Sequence, residues 1–255
     1  MRPVAVRTTE PTEIASGVWR LGTELVNWYL VSDGSGVTVV DAGAPKYRPE
    51  LDAGLARLGR SVGDVAAIVL THAHSDHTGF AEALRSETGV PVHVHADDES
   101  LAATGKPSGK NEASFLPYLR YRHAWRLLTH LAGAGAMKPK PIRELTTYAD
   151  GETLDVPGRP RVIHTPGHTS GHCALWFESA GALIVGDELC TLHPLTGARG
   201  PQLMPRAFNV SSAKCLDSLT KLQDLPAEVV AVGHREPWRE GIAAAVERVR
   251  ATGPT

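Results

Sequence analysis

Cysteine is scarce in this 255-residue chain, and the little there is does not pair. Cys173, Cys190 and Cys215 are odd in number and widely spaced. That disfavours a disulfide framework and points to a reducing, cytoplasmic setting. Long apolar runs are missing too: no stretch approaches the roughly 18–20 continuous apolar residues that span a bilayer. The first twelve residues are polar with two prolines and have no apolar core, so they do not read as a secretory signal. Charge of one sign never accumulates. With 26 Lys+Arg against 28 Asp+Glu and a formal net charge of −2, nothing suggests a nucleic-acid face or a polyanionic tail. The partner expected is a small-molecule substrate, with no nucleic acid and no membrane; the oligomeric state stays open, a homodimer among the options. What is present is a 42% hydrophobic fraction, enough for a substantial core, and 12 histidines.

The histidines are concentrated in Thr71-His72-Ala73-His74-Ser75-Asp76-His77-Thr78-Gly79. This stretch follows the apolar run 65–70, which reads as a buried strand. Extended backbone carries His72 and His74 to the same side, because side chains alternate with period two. Asp76 and His77 then fall where the chain turns into a helix starting near residue 78. Four donors from one strand-to-helix turn can converge on one point or on two neighbouring points. Imidazole nitrogen and carboxylate oxygen are what a borderline cation such as zinc accepts. A histidine-rich surface turn is the plain alternative, and the fixed offsets with the added Asp76 favour a metal site.

Residues 18–21, 26–31 and 36–40 are short β-branched runs expected as consecutive antiparallel strands. The third ends at Asp41, which either caps a turn or fixes the tautomer and angle of a ligand histidine. A helix is expected over 49–58, with Leu51, Leu55 and Leu58 on one stripe and Gly59 closing it. A second helix follows over 80–87, then a strand over 90–94 with His93 and His95 at its end, and a helical turn over 97–103. The loop 104–111 superficially resembles a phosphate-binding loop. Three residues separate its glycines where four are needed, and Asn111 stands where Ser or Thr would hold magnesium, so that reading is rejected. Residues 112–134 read as one long aromatic-rich helix, ended by a Gly-Ala stretch and by Pro139 and Pro141. His123 and His130 share a face of it and read as ordinary amphipathic-helix residues. Residues 104–146 therefore form a helical insertion and a candidate lid in an otherwise strand-rich, single α/β domain over 1–255. Strands are expected again at 153–156, 161–164, 172–178, 182–186 and 228–232, with helices at 211–222 and 239–250. The two halves suggest a pseudo-duplicated layer arrangement, without a sequence repeat to match.

Three more turns repeat the strand-end pattern. His164-Thr165-Pro166-Gly167-His168-Thr169-Ser170-Gly171-His172 follows 161–163, Gly186-Asp187-Glu188 follows 182–185, and Gly233-His234 follows 229–232. Buried strands that end on unpaired His or Asp are costly unless those groups share a partner, and a metal is such a partner.

THAHSDHTG, TPGHTSGH, GDE and GH, in this order, resemble the metallo-β-lactamase superfamily. EIASGVWRL and VVDAG resemble its N-terminal pattern, so the likeness runs from about Glu13 to His234. The resemblance implies a four-layer αβ/βα sandwich with the site along the sheet edges. It implies that His72, His74 and His168 hold one metal, that Asp76, His77 and His234 hold a second, and that Asp187 bridges both. Two Zn2+ are expected, with Fe or Mn as alternatives. Asp41 and His172 would support the ligands without binding metal.

Paired metals lower the pKa of a bridging water toward about 7 and polarise a carbonyl, and Asp76 is placed to orient the hydroxide and pass a proton to the leaving group. The expected activity is hydrolysis of a carboxylic ester, lactone or thioester. Class B3 β-lactamases lack the bridging carboxylate that Asp187 supplies, which disfavours β-lactam cleavage. Glyoxalase II enzymes carry a helical C-terminal portion that grips glutathione, whereas 21 residues follow His234 here. The β-CASP nucleases insert a domain between later ligands, and Asp187 and His234 are only 47 apart. N-acyl lactone hydrolases are similar in size and ligand set. Two other classes stay open: a mononuclear-iron persulfide dioxygenase, which needs fewer ligands, and a non-catalytic member that binds a metabolite.

Overall fold

The computed structural model describes residues 9–106, 110–138 and 140–255. The signal-peptide reading over residues 1–8, the centre of the 104–111 loop and the helix-ending role of Pro139 lie outside the described residues.

The chain opens with four antiparallel strands, β1 (Thr12–Ala15), β2 (Val18–Gly22), β3 (Asn27–Asp33) and β4 (Gly36–Val40). Helix α1 (Arg48–Arg57), β5 (Val65–Val69), α2 (Ala81–Thr88), β6 (Val92–His95), α3 (Glu99–Thr104), α4 (Arg122–Ala134) and β7 (Thr146–Tyr148) follow. Helical crossovers separate β4 to β7, and these strands therefore pair in parallel. The result is one seven-stranded sheet in the order β1 to β7. A second sheet takes β8 (Arg161–His164), β9 (Cys173–Phe177), β10 (Ala182–Gly186) and, beyond the ribbon β11 (Cys190–Leu192) and β12 (Arg199–Gln202) and helix α5 (Ser212–Ser218), β13 (Val229–Val232). Its order is β13-β10-β9-β8, and helix α6 (Gly241–Thr252) closes the chain.

Alternation along each strand sorts the core into layers. Leu30, Val39 and Ile68 pack beneath α1 and α2 with Leu51, Leu55 and Leu84. Their neighbours Tyr29, Val31, Val40 and Val69 face the second sheet through Val162, Leu175, Phe177 and Ile184. The far side of that sheet, Trp176, Leu183 and Val185, is covered by α5 and α6 through Cys215, Ile242 and Val246. This is the four-layer αβ/βα sandwich with a helical insertion that the resemblance implied. Among the described residues no helix is long and apolar enough to cross a membrane.

Several local expectations need correction. β5 ends at Val69, so His72 and His74 sit in irregular backbone beyond the strand. The single helix expected over 112–134 is broken. Pro117, which has no N–H to donate, lies in the 3-10 turn Leu116–Arg120, and Tyr121 is extended before α4 begins. Residues 153–156 make only a bridge from Thr153 to Arg161, because the chain turns at Pro157 and Gly158. Strands β1, β7, β11 and β12 were not anticipated.

Candidate metal centre

The turns that follow β4, β5, β10 and β13, and the turn between β8 and β9, meet at one edge of the two sheets. There the structure brings together His72, His74, Asp76, His77, His168, Asp187 and His234. Donor atoms of His72, His74 and His168 lie within 4.8 Å of one another, as do those of His72, His77 and Asp187, and those of Asp76, His77 and His234. His74 and Asp76 are half-buried and the other five are buried. The glycines that precede Asp187 and His234 permit this closeness. Gly186 has φ +50°, and a Cβ there would sit 2.6 Å from Thr71 Oγ1; one on Gly233 would sit 2.1 Å from Asp187 Oδ1.

Four of the rings are fixed by their outer nitrogen. His77 Nδ1–H donates to Asp41 Oδ2 at 2.8 Å, and His168 Nδ1–H to Asn209 Oδ1 at 2.9 Å. His234 Nδ1–H donates to the Leu25 carbonyl. The Thr71 hydroxyl donates to Asp41, so its oxygen accepts from His72 Nδ1–H at 3.0 Å. Each of these tautomers leaves an Nε2 lone pair facing inward. His74 presents Nδ1, 2.9 Å from His168 Nε2. Asp187 lies among them, with Oδ2 3.0 Å from His234 Nε2 and 3.4 Å from His168 Nε2, and Oδ1 3.6 Å from His77 Nε2. His72 Nε2, His77 Nε2 and Asp187 Oδ1 are buried without a hydrogen-bond partner. Converging lone pairs of nitrogen and carboxylate oxygen fit a divalent cation of borderline character, which would satisfy all of them.

The electrostatics agree. Burial holds His72 and His168 well below the usual imidazole range, reinforced by neighbouring histidines. Burial also opposes protonation of His77, yet the Asp187 and Asp41 carboxylates outweigh it and push that ring up to about 10. Asp187 is held well below the usual carboxylate range despite its burial, by His234 and His77. The cluster is a strong sink for positive charge.

The remaining sequence-predicted residues have clear places. Asp41 accepts from Thr71 N–H, Thr71 O–H and His77, and holds φ +58°, a left-handed conformation that a non-glycine residue adopts at a cost. His172 Nε2 accepts from the Asp187 backbone N–H at 3.1 Å while Nδ1 faces Thr165 Oγ1 at 2.8 Å, so both nitrogens are engaged outside the cluster. His95 stacks on His164 with ring centroids 4.1 Å apart, in a separate group with Asp97. His130 bonds Tyr47 Oη at 2.5 Å, and the His123 ring lies over Gly197.

Two contributors escaped the sequence reading. Buried Asp98 accepts from Ala73 N–H, Gly171 N–H and Thr169 O–H at 3.0, 2.8 and 2.7 Å, joining the two main ligand turns. Asn209 orients His168 while its amide donates to the Met204 carbonyl at 2.8 Å. Neither carries a local signal, because the turns and the ring they hold lie far off in sequence.

A cavity of about 190 Å³ opens onto the cluster. His74, Asp76, His168, Asp187 and His234 give it a polar side; Leu127 and Leu131 of α4, with Met204 and Phe208, give it an apolar one, and Ser75 and Asn111 complete it. A more open groove of about 700 Å³, lined by Ser16, Asp33, Arg159 and Glu178 among others, lies at the opposite ends of the strands, away from the ligating groups.

Residues 21–234 match the family model for the metallo-beta-lactamase superfamily. The chain is 27% identical to a probable metallo-hydrolase of Bacillus subtilis, YflN, across 91% of this chain and 89% of that protein. It is 29% identical to a hydroxyacylglutathione hydrolase of Rhodospirillum rubrum, across 67% of this chain but 48% of the relative. Among solved structures, a metallo-beta-lactamase family protein from Thermus thermophilus matches with a TM-score of 0.67 at 27% identity, covering 94% of this chain and 80% of that one. A subclass B3 metallo-beta-lactamase from a soil metagenome library, MEM-A1, reaches 0.69 at 17% identity over 95% and 93% of the two chains, a likeness of fold alone.

Proposed function

The chain belongs to the metallo-β-lactamase superfamily, and from that premise we propose that it is a binuclear metal-dependent hydrolase of a carboxylic ester, lactone or thioester. One observation carries the reading: four histidines anchored through Nδ1 turn their Nε2 lone pairs toward the Asp187 carboxylate. His72, His74 and His168 would hold one cation, Asp76, His77 and His234 the other, and Asp187 both. Zinc suits this donor set best, with iron and manganese as alternatives.

When bound, paired cations lower the pKa of a water toward neutrality and polarise a carbonyl oxygen. The chain's own residues do the rest. Asp76, 16% exposed at the cavity with Oδ2 3.9 Å from His234 Nε2, takes the proton of the attacking water and returns it to the leaving group. Asp41 and His172 keep His77 and the Asp187 backbone in register. Leu127, Leu131, Met204 and Phe208 pack the acyl portion and exclude water, which makes α4 and its flanking turns a lid. Three free, buried cysteines suit a cytoplasmic setting.

Metal analysis coupled to a panel of lactones, thioesters, esters, phosphodiesters and a β-lactam tests the reading. Close to two zinc ions per chain, with chelator-sensitive cleavage of a carbonyl ester or thioester, is the expected result. One bound iron with oxygen consumption, or cleavage confined to phosphodiesters, would overturn it.

A further inference from the structure

Arg235 follows His234 directly, in the left-handed region at φ +78°. Its backbone carbonyl is clamped by Arg20 Nη1 at 3.3 Å and Asn27 Nδ2 at 2.5 Å, so the turn that carries it is held in place. The side chain is only 19% exposed, yet its closest carboxylate is Glu24 Oε2 at 3.6 Å, beyond hydrogen-bonding distance. Glu24 is already engaged by Arg126 of α4. Two guanidinium groups thus share one carboxylate, and the more buried of the two has no hydrogen-bond acceptor among the described residues. A guanidinium held in place by its backbone but only loosely paired keeps N–H donors free, and a planar fork of such donors is suited to a bidentate anion.

The position gives this cation a use. His234 and Leu127 line the cavity, and Arg235 and Arg126 are their chain neighbours. Glu24 precedes Leu25, whose carbonyl holds His234. Neither arginine lines the cavity itself; each adjoins a residue that does, which puts the pair beside it, between α4 and the turn after β13. The other nearby carboxylate, Glu236, is bound by Arg20 at 2.8 Å.

We propose that Arg235 binds an anionic group of the substrate, so that the molecule cleaved carries a carboxylate or phosphate besides the bond under attack. The proposal rests on the hydrolase reading for the word substrate; the anion site itself does not. Glu24 occupies Arg126 and partly neutralises Arg235, and the incoming anion takes the free face of the guanidinium.

The test is calorimetric titration of the metal-loaded protein with acetate, succinate and 3-phosphonopropionate. Acetate can occupy the metals alone, whereas the other two can reach the metals and Arg235 together. Wild type is expected to bind at least one of the bifunctional ligands roughly tenfold more tightly than acetate. Arg235→Gln should remove that preference, Arg235→Lys should keep part of it, and Glu24→Gln should increase it. Metal content measured on each variant separates this effect from damage to His234. The ratio of kcat/KM for a succinate monoester over an acetate ester should fall about tenfold in Arg235→Gln. Which bifunctional ligand binds better tells carboxylate from phosphate. Equal binding of all three ligands by wild type, or an unchanged preference in Arg235→Gln, overturns the proposal. A wild type that cleaves no ester but prefers succinate to acetate would sink the hydrolase reading and leave the anion site standing.

Discussion

The carboxylate of Asp41 lies 2.8 Å from His77 Nδ1 and accepts both the backbone and hydroxyl protons of Thr71, the group that in turn holds His72. One residue in a left-handed conformation at the end of β4 therefore orients rings assigned to two different cations. Replacing Asp41 by Asn removes its charge and one acceptor while keeping its shape. Metal affinity should fall about 10–100-fold, read by competition with a chromophoric chelator. An unchanged affinity would mean that the His77 ring is held by packing alone.

Asp187 is the hub of the cluster, and its removal should do more than remove one ligand. His74→Ala or Asp187→Ala is expected to abolish hydrolysis and lower bound metal while far-UV circular dichroism stays native, because both side chains sit at the sheet edge and not in the three main core clusters. Asp187→Ala should lose metal at both positions, and His74→Ala chiefly at one. Activity that survives both changes and a chelator would remove the metal mechanism.

The site was legible because its chemistry is written into short segments that end strands. His72, His74, Asp76 and His77 fall in one turn, and the glycines before Asp187 and His234 mark where backbone must approach neighbouring side chains closely, Thr71 and His172 at Gly186 and the Asp187 carboxylate at Gly233. The fold was legible where alternation is strong, as in β3, β4 and β10. It was illegible where pairing alone makes the strand: β7 is Thr146–Tyr148 and pairs beside His93 to His95, a contact no local pattern encodes. The break at Tyr121 escaped for the opposite reason, since the apolar residues flanking Pro117 keep a helical look across a segment that cannot complete helical hydrogen bonds. Asp98 and Asn209 reach the cluster through residues distant in sequence, Ala73 and Gly171 for one and His168 for the other, so nothing near them announces a role.

Glu50 gives the protein a pH-dependent stability separate from the metal centre. It sits in the first turn of α1, half-buried, and accepts from Trp28 Nε1 at 3.4 Å. Burial outweighs that bond and a backbone bond from Gly22, raising its carboxyl from 4.5 to about 7. Between those values the folded chain holds a proton that the unfolded chain has released. Stability from this group is thus full below about pH 4.5 and is lost as pH rises through about 7. Glu50→Gln should remove that slope, gaining on the order of 1–2 kcal/mol at pH 8 after allowance for solvent screening. Urea unfolding of both proteins at pH 5 and pH 8 decides it: the difference between them must grow with pH.

Leu131 tests whether α4 forms a wall of the substrate site. It lines the cavity with Leu127 but is only partly buried, whereas Leu127 is fully buried in the cluster that seats α4 against Leu195 and Ala207. Changes at Leu131 should therefore alter the cavity with less damage to the fold. Each methylene buried in an apolar cavity contributes about 0.8 kcal/mol, or about a fourfold gain in kcat/KM, until a cavity of about 190 Å³ is full. Along a series of straight-chain acyl esters, kcat/KM should climb and then drop once the chain no longer fits. Leu131→Trp should move that maximum to shorter chains, and Leu131→Ala should move it to longer ones. Opposite shifts from the two variants cannot come from a general loss of stability, which would lower every ester alike. A maximum that stays at the same chain length in all three proteins would mean that the acyl group leaves the site by another route and that α4 covers nothing the substrate touches.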